Sequence, residues 1–430
     1  MRKTKEYLTG AAAIAALVLG ASFTSPAVAD PVLFWSDQGT PVEEQQRIRD
    51  NVLSGFDGEV DFQPQDPGPY VTRIQAEAQA GKGTIDLIGG LHGDFASFSD
   101  AVMDVSDLAA ALASVGVNET YLGLGKLGTG EQKYIPWMQA TYIMAANKKA
   151  LEYLPEGTDI NALTYDQLIA WAKNLAEKTG SPKFGIPAGP KGLIHRFFQG
   201  YAYPSFTNSE VTKFRSPEAV AMWEKIKELW SVTSPASTGY AFMQEQLLSD
   251  EIWVAWDHTA RLAEAFNQRP DDFVAFPAPA GPAGRGFMPV VAGLGIPKTA
   301  PDVDGAKKLL TYMMQPSTQI EMLKANGFFP VVKAELPADM PASVRAEGAA
   351  VAAQSGSSDA NPGLLPIGLG DLGGKFNKVY VDSFQQIVLN GADIKTVLDQ
   401  QADVLRSIME ESKAPCWAPD AKSDGPCPVE

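Results

Sequence analysis

From residue 30 onward, apolar and polar positions follow two rhythms that alternate along the chain. Short apolar runs at 32–35 (VLFW), 60–63 and 85–88 predict buried strands, the last ending in Gly89-Gly90. Between them, residues 40–56 and 70–80 carry the spacing of amphipathic helices. Pro41 suits a first helical turn with Glu43 and Glu44 behind it, and Gly81 stops the second helix. A strand–helix–strand order predicts a parallel α/β sheet, because parallel neighbours need a long crossover. The pattern recurs in helices predicted over 164–178, with Trp171 on the apolar face, and over 216–230, 303–314, 317–326 and 394–411, and in a strand over 252–256. Residues 334–371 are rich in Ala, Gly, Ser and Pro and read as loosely helical surface or a long loop. There is no internal repeat.

The first 29 residues have a different grammar. Arg2, Lys3 and Lys5 precede an apolar stretch at 8–21, and Ala27-Val28-Ala29 forms a cleavage signal before Asp30. That order predicts a secretory signal peptide, with an apolar stretch too short for a membrane span. No Cys lies near the cleavage point to support a lipid anchor. The exported protein then works without ATP. It retains 401 of the 430 residues, which predicts two domains of roughly 200 residues each. Its 32 Lys and Arg against 50 Asp and Glu give a net charge of −18, which argues against nucleic acid or an anionic membrane surface as partner. The only two cysteines, Cys416 and Cys427, predict a disulfide in an exported chain. Such a short loop contributes about 3 kcal/mol at most. It is expected to staple the tail locally, outside any ligand site.

Catalytic signatures are absent. The chain has no GxSxG, HExxH, P-loop or GxGxxG after a strand, and its three histidines (92, 195 and 258) are far apart in sequence. The expectation is a protein that is not an enzyme and needs no cofactor or metal.

Several segments then share an order. FWSDQG (34–39) follows the first strand. TIDLIGGLHGDFASF (84–98), EQKYIPWMQATYIMAANKKAL (131–151), LTYDQLIAWAKNL (163–175), FVAFPAPAGPAGRG (273–286), VAGLGIPKTAPDVDGAKKLLTYMMQP (291–316) and NGFFPVVK (326–333) come after it. In this succession the chain resembles the family 1 extracellular solute-binding proteins, the carbohydrate-capturing components of bacterial ABC importers. The resemblance implies an α/β two-lobe periplasmic binding protein fold with hinge strands and an interlobe ligand cleft. It implies an N-terminal lobe of 30–138 and 293–335, and a C-terminal lobe of 139–292 and 336–430. It also implies a periplasmic monomer that binds a saccharide or glycoside and delivers it to ABC transporter permease subunits. Another small solute (a polyol, glycerol phosphate or an acidic sugar) and an exported hydrolase are the alternatives.

A sugar site needs aromatic faces for the pyranose C–H surface and polar groups for its hydroxyls. Ser36, Asp37 and Gln38 follow the first strand, where they serve either ligand or the cap of the next helix. His92 and Asp94 follow the third strand, with a turn histidine and an N-cap as the structural alternatives. Trp137 and Gln139 lie in the segment that crosses between lobes, where Trp137 equally suits a hinge core. Trp256, Asp257 and Arg261 end the IWVAW strand, the position at which the resemblance places ligand contacts. Tyr70, His195 and Gly293 complete the set, with Asp371 in the Gly-rich LGDLGGKF segment. Trp171, Trp223 and Trp230 have the spacing of helical core residues.

Overall fold

The computed structural model describes residues 30–38 and 42–430; the predicted signal segment and the first residues of the predicted 40–56 helix lie outside them. In chain order the strands are β1 (Val32–Ser36), β2 (Val60–Pro64), β3 (Leu87–Leu91), β4 (Ile135–Ala140), β5 (Tyr142–Asn147), β6 (Phe184–Gly185), β7 (Val254–His258), β8 (Phe273–Phe276), β9 (Arg285–Phe287), β10 (Val290–Gly295) and β11 (Ala360–Pro362). They form a five-stranded sheet in the order β2-β1-β3-β10-β4 and a four-stranded sheet in the order β6-β7-β5-β8, with β9 and β11 paired apart. The three strands read first from the sequence run parallel, with Phe34 opposite both Phe62 and Leu87. β10 joins β3 antiparallel, and β4 joins β10 antiparallel at the edge of the sheet.

Local chemistry shifts several of the predicted boundaries. The third strand starts two residues late because Asp86 is occupied: its carboxylate accepts from Leu33 N at 2.8 Å and Asp302 N at 2.9 Å. Gly89 and Gly90 lie inside this strand and not after it. A Cβ on Gly89 would sit 2.7 Å from the Phe34 ring, and one on Gly90 would sit 2.2 Å from the Tyr70 hydroxyl. The strand predicted over 252–256 also begins two residues late. Ile252 N is bonded to Gln246 O, and the Trp253 indole donates to Asp250 O, so both residues close a turn. The helix after β1 runs as α1 (Val42–Arg47) and tightens through a π turn (Ile48–Val52) and a 3-10 turn (Leu53–Gly55). Residues 334–371 prove to be partly each alternative: a helix at Ala342–Ser355, the short β11, and an irregular strap over 363–369. The strap leads into a helix, Gly373–Phe384, whose buried Phe376, Val379, Tyr380, Ser383 and Phe384 follow helical spacing.

Each sheet has its own core. One gathers Phe34, Phe62, Trp137, Leu294 and Leu309; the other gathers Trp171, Tyr203, Trp223, Trp256 and Tyr380. The chain crosses between the sheets from β4 to β5 at Thr141 and returns just before β10. Both crossings are tied together. The Thr141 hydroxyl donates to Met288 O at 2.9 Å, Tyr201 Oη donates to Tyr142 O at 2.7 Å, and Gln354 Nε2 donates to Tyr142 O at 3.0 Å.

The Cys416–Cys427 disulfide is formed. The tail that it closes is more than a local staple. Asp420 accepts from the backbone N of Glu210, Val211 and Thr212, and Trp417 Nε1 donates to Glu210 Oε2 at 2.6 Å. Ala418 O then accepts from Leu364 N at 2.8 Å, and Ala414 and Pro415 lie against Gly368, so the tail backs the strap.

Candidate ligand cleft

β1 and β3 are parallel, so their carboxyl ends emerge side by side, the position at which open α/β sheets bind ligands. Asp37 leaves β1 and is held by its own N–H, which donates to Gly89 O at 3.1 Å. Its Oδ1 accepts from Gln38 Nε2 at 2.8 Å, while Ser36 Oγ accepts from Gln38 N at 3.0 Å. β3 gives way to α3 (His92–Phe95), which carries Asp94. Opposite stand Arg196, on the short helix Ile194–Phe197, and the strap with the start of the helix after it.

Between these walls lies a cavity of about 500 Å³. Its polar lining is Asp37, Asp94 and Ser97 on one side and Arg196, Asp371 and Asn377 on the other. Val71, Leu91, Leu365, Pro366 and Leu369 supply the apolar surface, and no aromatic side chain among the described residues lines it. The strap touches the opposite wall directly: a Cβ on Gly93 would sit 2.2 Å from the Pro366 carbonyl oxygen. Arg196 is oriented by a relay. Its Nη1 donates to Gln199 Oε1 at 3.0 Å, and the buried Gln199 donates through Nε2 to Asn377 Oδ1 at 2.9 Å.

The electrostatics are unbalanced. Asp37 and Asp94 are in hydrogen-bonding contact. Burial first, and then Asp94 beside it, raise the Asp37 pKa well above the ordinary carboxylate value. Burial raises Asp94 as well, and the charge of Arg196 opposes that rise. Tyr70 is fully buried beside this pair, and its hydroxyl has no partner among the described residues. Its pKa is raised by burial and by the charges of Asp37 and Asp94. A second charged group involves Arg261, whose Nη1 donates to Ala241 O at 3.2 Å and whose guanidinium lies 4.6 Å from the Phe242 ring. Its charge reaches Glu44 on α1, whose pKa burial pushes up to about 7. His195, next to Arg196, is held neutral by burial and by both arginines.

The structure therefore brings Asp37, Asp94 and Asp371 to one cavity, with Ser36, Gln38 and Tyr70 directly behind the first two. It places other expected contacts elsewhere. Trp256 lies in the middle of β7 with no exposed surface; it stacks on Tyr142 at 4.9 Å and meets Phe197 and Tyr201 edge to face. Trp137 packs in the other core, 6.0 Å from Phe34. Asp257 is buried and accepts from Met243 N at 2.9 Å and His258 N at 2.7 Å, with its pKa pushed up to about 7 by burial. His92 is buried with Nδ1 2.7 Å from the Tyr134 hydroxyl, and burial brings its pKa down to about 4. Gln139 joins Tyr121 Oη at 2.5 Å to Pro330 O at 3.2 Å. Gly293 is required by packing, since a Cβ there would lie 2.1 Å from the Tyr134 ring.

A family model described as bacterial extracellular solute-binding protein matches residues 49–320, and the chain belongs to this family. No curated protein matches the sequence. Among solved structures, it is similar to maltose-bound MalE3 of T. maritima, with TM-score 0.66 and 18% identity over 88% of this chain and 99% of that one. It is also similar to UgpB from Mycobacterium tuberculosis in complex with glycerophosphocholine, with TM-score 0.65 and 16% identity over 89% and 99%. The GacH receptor of Streptomyces glaucescens, solved unliganded and with acarbose, gives TM-score 0.67 and 16% identity over 89% and 99%. These likenesses define the fold as that of the two-lobe binding proteins.

Proposed function

We propose that the chain is the solute receptor of an ABC importer, capturing a saccharide or glycoside between its lobes and presenting it to membrane permease subunits. The observation that carries the reading is the cavity of about 500 Å³ with polar groups from both walls. Its size falls in the range of about 300–1,000 Å³ common for small-molecule sites. Asp37, Asp94 and Asp371 accept from ligand hydroxyls, while Arg196, Asn377 and Ser97 donate to them. The maltose and acarbose complexes of similar folds favour a saccharide. The excess of carboxylates disfavours an acidic sugar.

In this reading the N-terminal lobe spans 30–138 and 293–335, and the C-terminal lobe holds the remainder. The hinge lies at the Thr141–Met288 tie. The signal segment is cleaved before Asp30 in a periplasmic or extracellular protein that acts as a monomer. The site binds and releases without turnover. A thermal-shift screen of the mature protein over neutral, acidic and aminated sugars tests the reading. A true ligand at 100 times its dissociation constant stabilises by about 2.7 kcal/mol. A panel without any shift would count against it.

A further inference from the structure

The lining of the cleft carries more acidic than basic side chains. With all groups ionised, Asp37, Asp94 and Asp371 oppose Arg196 alone among the lining residues. Asp37 and Asp94 line the same end of the cavity in contact with each other, and burial together with the neighbouring carboxyl raises the Asp37 pKa well above its ordinary value, which favours a proton shared by the pair. The groups facing the pair are Tyr70 from α2 (Pro67–Ala80), Arg196 from the Ile194–Phe197 helix, Gln38, and the Leu91 N–H, which donates to Asp37 Oδ2 at 3.4 Å, while Asp371 from beyond the strap lines the same cavity. Arg196 donates through one Nη to Gln199, and its charge acts to lower the Asp94 pKa, but the lining still holds three carboxyls against this one cation.

Two further observations bear on what fills this end. Tyr70 has no exposed surface and, among the described residues, no partner for its hydroxyl, which is held against Gly90 within reach of both carboxyl charges. Nor is there, among the described residues, an aromatic face in the lining for a neutral pyranose to stack on. A divalent cation is not the fitting occupant, because no group of three or more acidic, His or Cys side chains among the described residues is arranged to hold one. A neutral hydroxyl donates one hydrogen bond and leaves the shared proton in place. An ammonium brings a full charge and three donors with no acceptor, which matches a surface of carboxylate oxygens.

We propose that the Asp37–Asp94 end of the cleft is a subsite for a protonated amine, so that the ligand is an amino sugar or an aminated glycoside. The inference rests on the saccharide reading above and narrows it. On binding, the ammonium takes the place of the proton shared by the two carboxyls, and that proton passes to solvent. Neither carboxyl forms a covalent bond.

Isothermal titration of the mature protein with glucosamine and chitosan di- and trisaccharides tests this, beside the matching hydroxylated cello-series and the N-acetylated chito-series. The titrations run at about pH 6.5, where the ligand amine is protonated, in two buffers of different ionisation enthalpy. The aminated series is expected to bind at least about tenfold tighter than the cello-series and to release protons to the buffer. Asp94→Asn and, independently, Asp37→Asn should abolish that preference in protein whose melting curve shows it folded. The proton count on the unaltered protein needs neither variant. Equal or tighter binding of the neutral series, without proton release, overturns the amine subsite and leaves the saccharide reading standing. A preference that persists in both variants also overturns it. Failure of all three series to bind overturns both.

Discussion

Trp256→Ala separates a core role from a ligand role. The indole is fully buried, stacked on Tyr142 at 4.9 Å with an interplanar angle of 6°, and edge-on to Phe197 at 5.1 Å and Tyr201 at 5.2 Å. Truncating a buried aromatic to Ala costs about 3–5 kcal/mol. Part of that is offset, because the Trp256 Nε1–H has no hydrogen-bond partner, and removing an unsatisfied buried donor returns about 1 kcal/mol. The net loss is roughly 2–4 kcal/mol. For a lobe of about 250 residues this lowers the melting temperature by roughly 5–15 °C. Trp256→Phe keeps most of the stack and deletes the orphaned donor, so it should melt close to the unaltered protein. Calorimetric melting beside ligand titration at 15 °C, where the lobe remains folded, reads both effects. The expected result is a large thermal loss with affinity changed less than about threefold. Affinity lost with an unchanged melt would refute the reasoning and return Trp256 to the ligand surface.

The remaining predictions concern the strap and one buried acid. Replacing Cys416 and Cys427 by Ser removes at most about 3 kcal/mol of loop restraint, and the loss should fall on the tail and the strap behind the cleft. Faster amide exchange over 363–372 and weaker ligand binding are expected; unchanged exchange and affinity would show that the tail does not support the strap. Gly93→Ala places a methyl against the Pro366 carbonyl, an overpacking of about 1–3 kcal/mol. It should weaken ligand binding about tenfold and lower the melting temperature by several degrees, and an unaltered affinity would show that this contact does not form in the liganded state. Glu347 is fully buried with neither carboxylate oxygen partnered, and burial raises its pKa well above the ordinary value. The folded state therefore holds a proton that the unfolded state releases, and stability falls as pH rises above about 4.5. Glu347→Met should raise the melting temperature more at pH 8 than at pH 5; an equal gain at both would show that Glu347 is not protonated in the fold.

Much of the architecture was legible because strand and helix periods differ so plainly in the first ninety residues, and because parallel pairing follows from that order. Asp37 and Asp94 were legible for the same reason: residues just after parallel strands face the crevice. Trp256 was misplaced by register. Pairing starts at Val254 and not Ile252, which moves the indole from the strand tip to its centre, on the helix-covered face. Gly89-Gly90 looked like a loop that admits ligand, yet it is strand that admits Phe34 and Tyr70. Ser97, Asn377 and the Gln199 relay were not in the expected site. The heptad-like spacing of Phe376, Val379, Tyr380 and Phe384 was present in the sequence, but the glycines at 370, 373 and 374 disguised the start of the helix that carries Asn377. The joining of walls more than a hundred residues apart by a strap resting on the disulfide-closed tail has no local signal.

The central claim is that ligand is held between the two walls of the cleft. A crystal structure of the mature protein with the tightest-binding saccharide of the screen tests it most directly. The account predicts ligand density bounded by Asp37 and Asp94 on one side and Arg196 and Asn377 on the other, with the strap closed over it. Density confined to one lobe's outer surface, or a ligand touching none of these four residues, would contradict it.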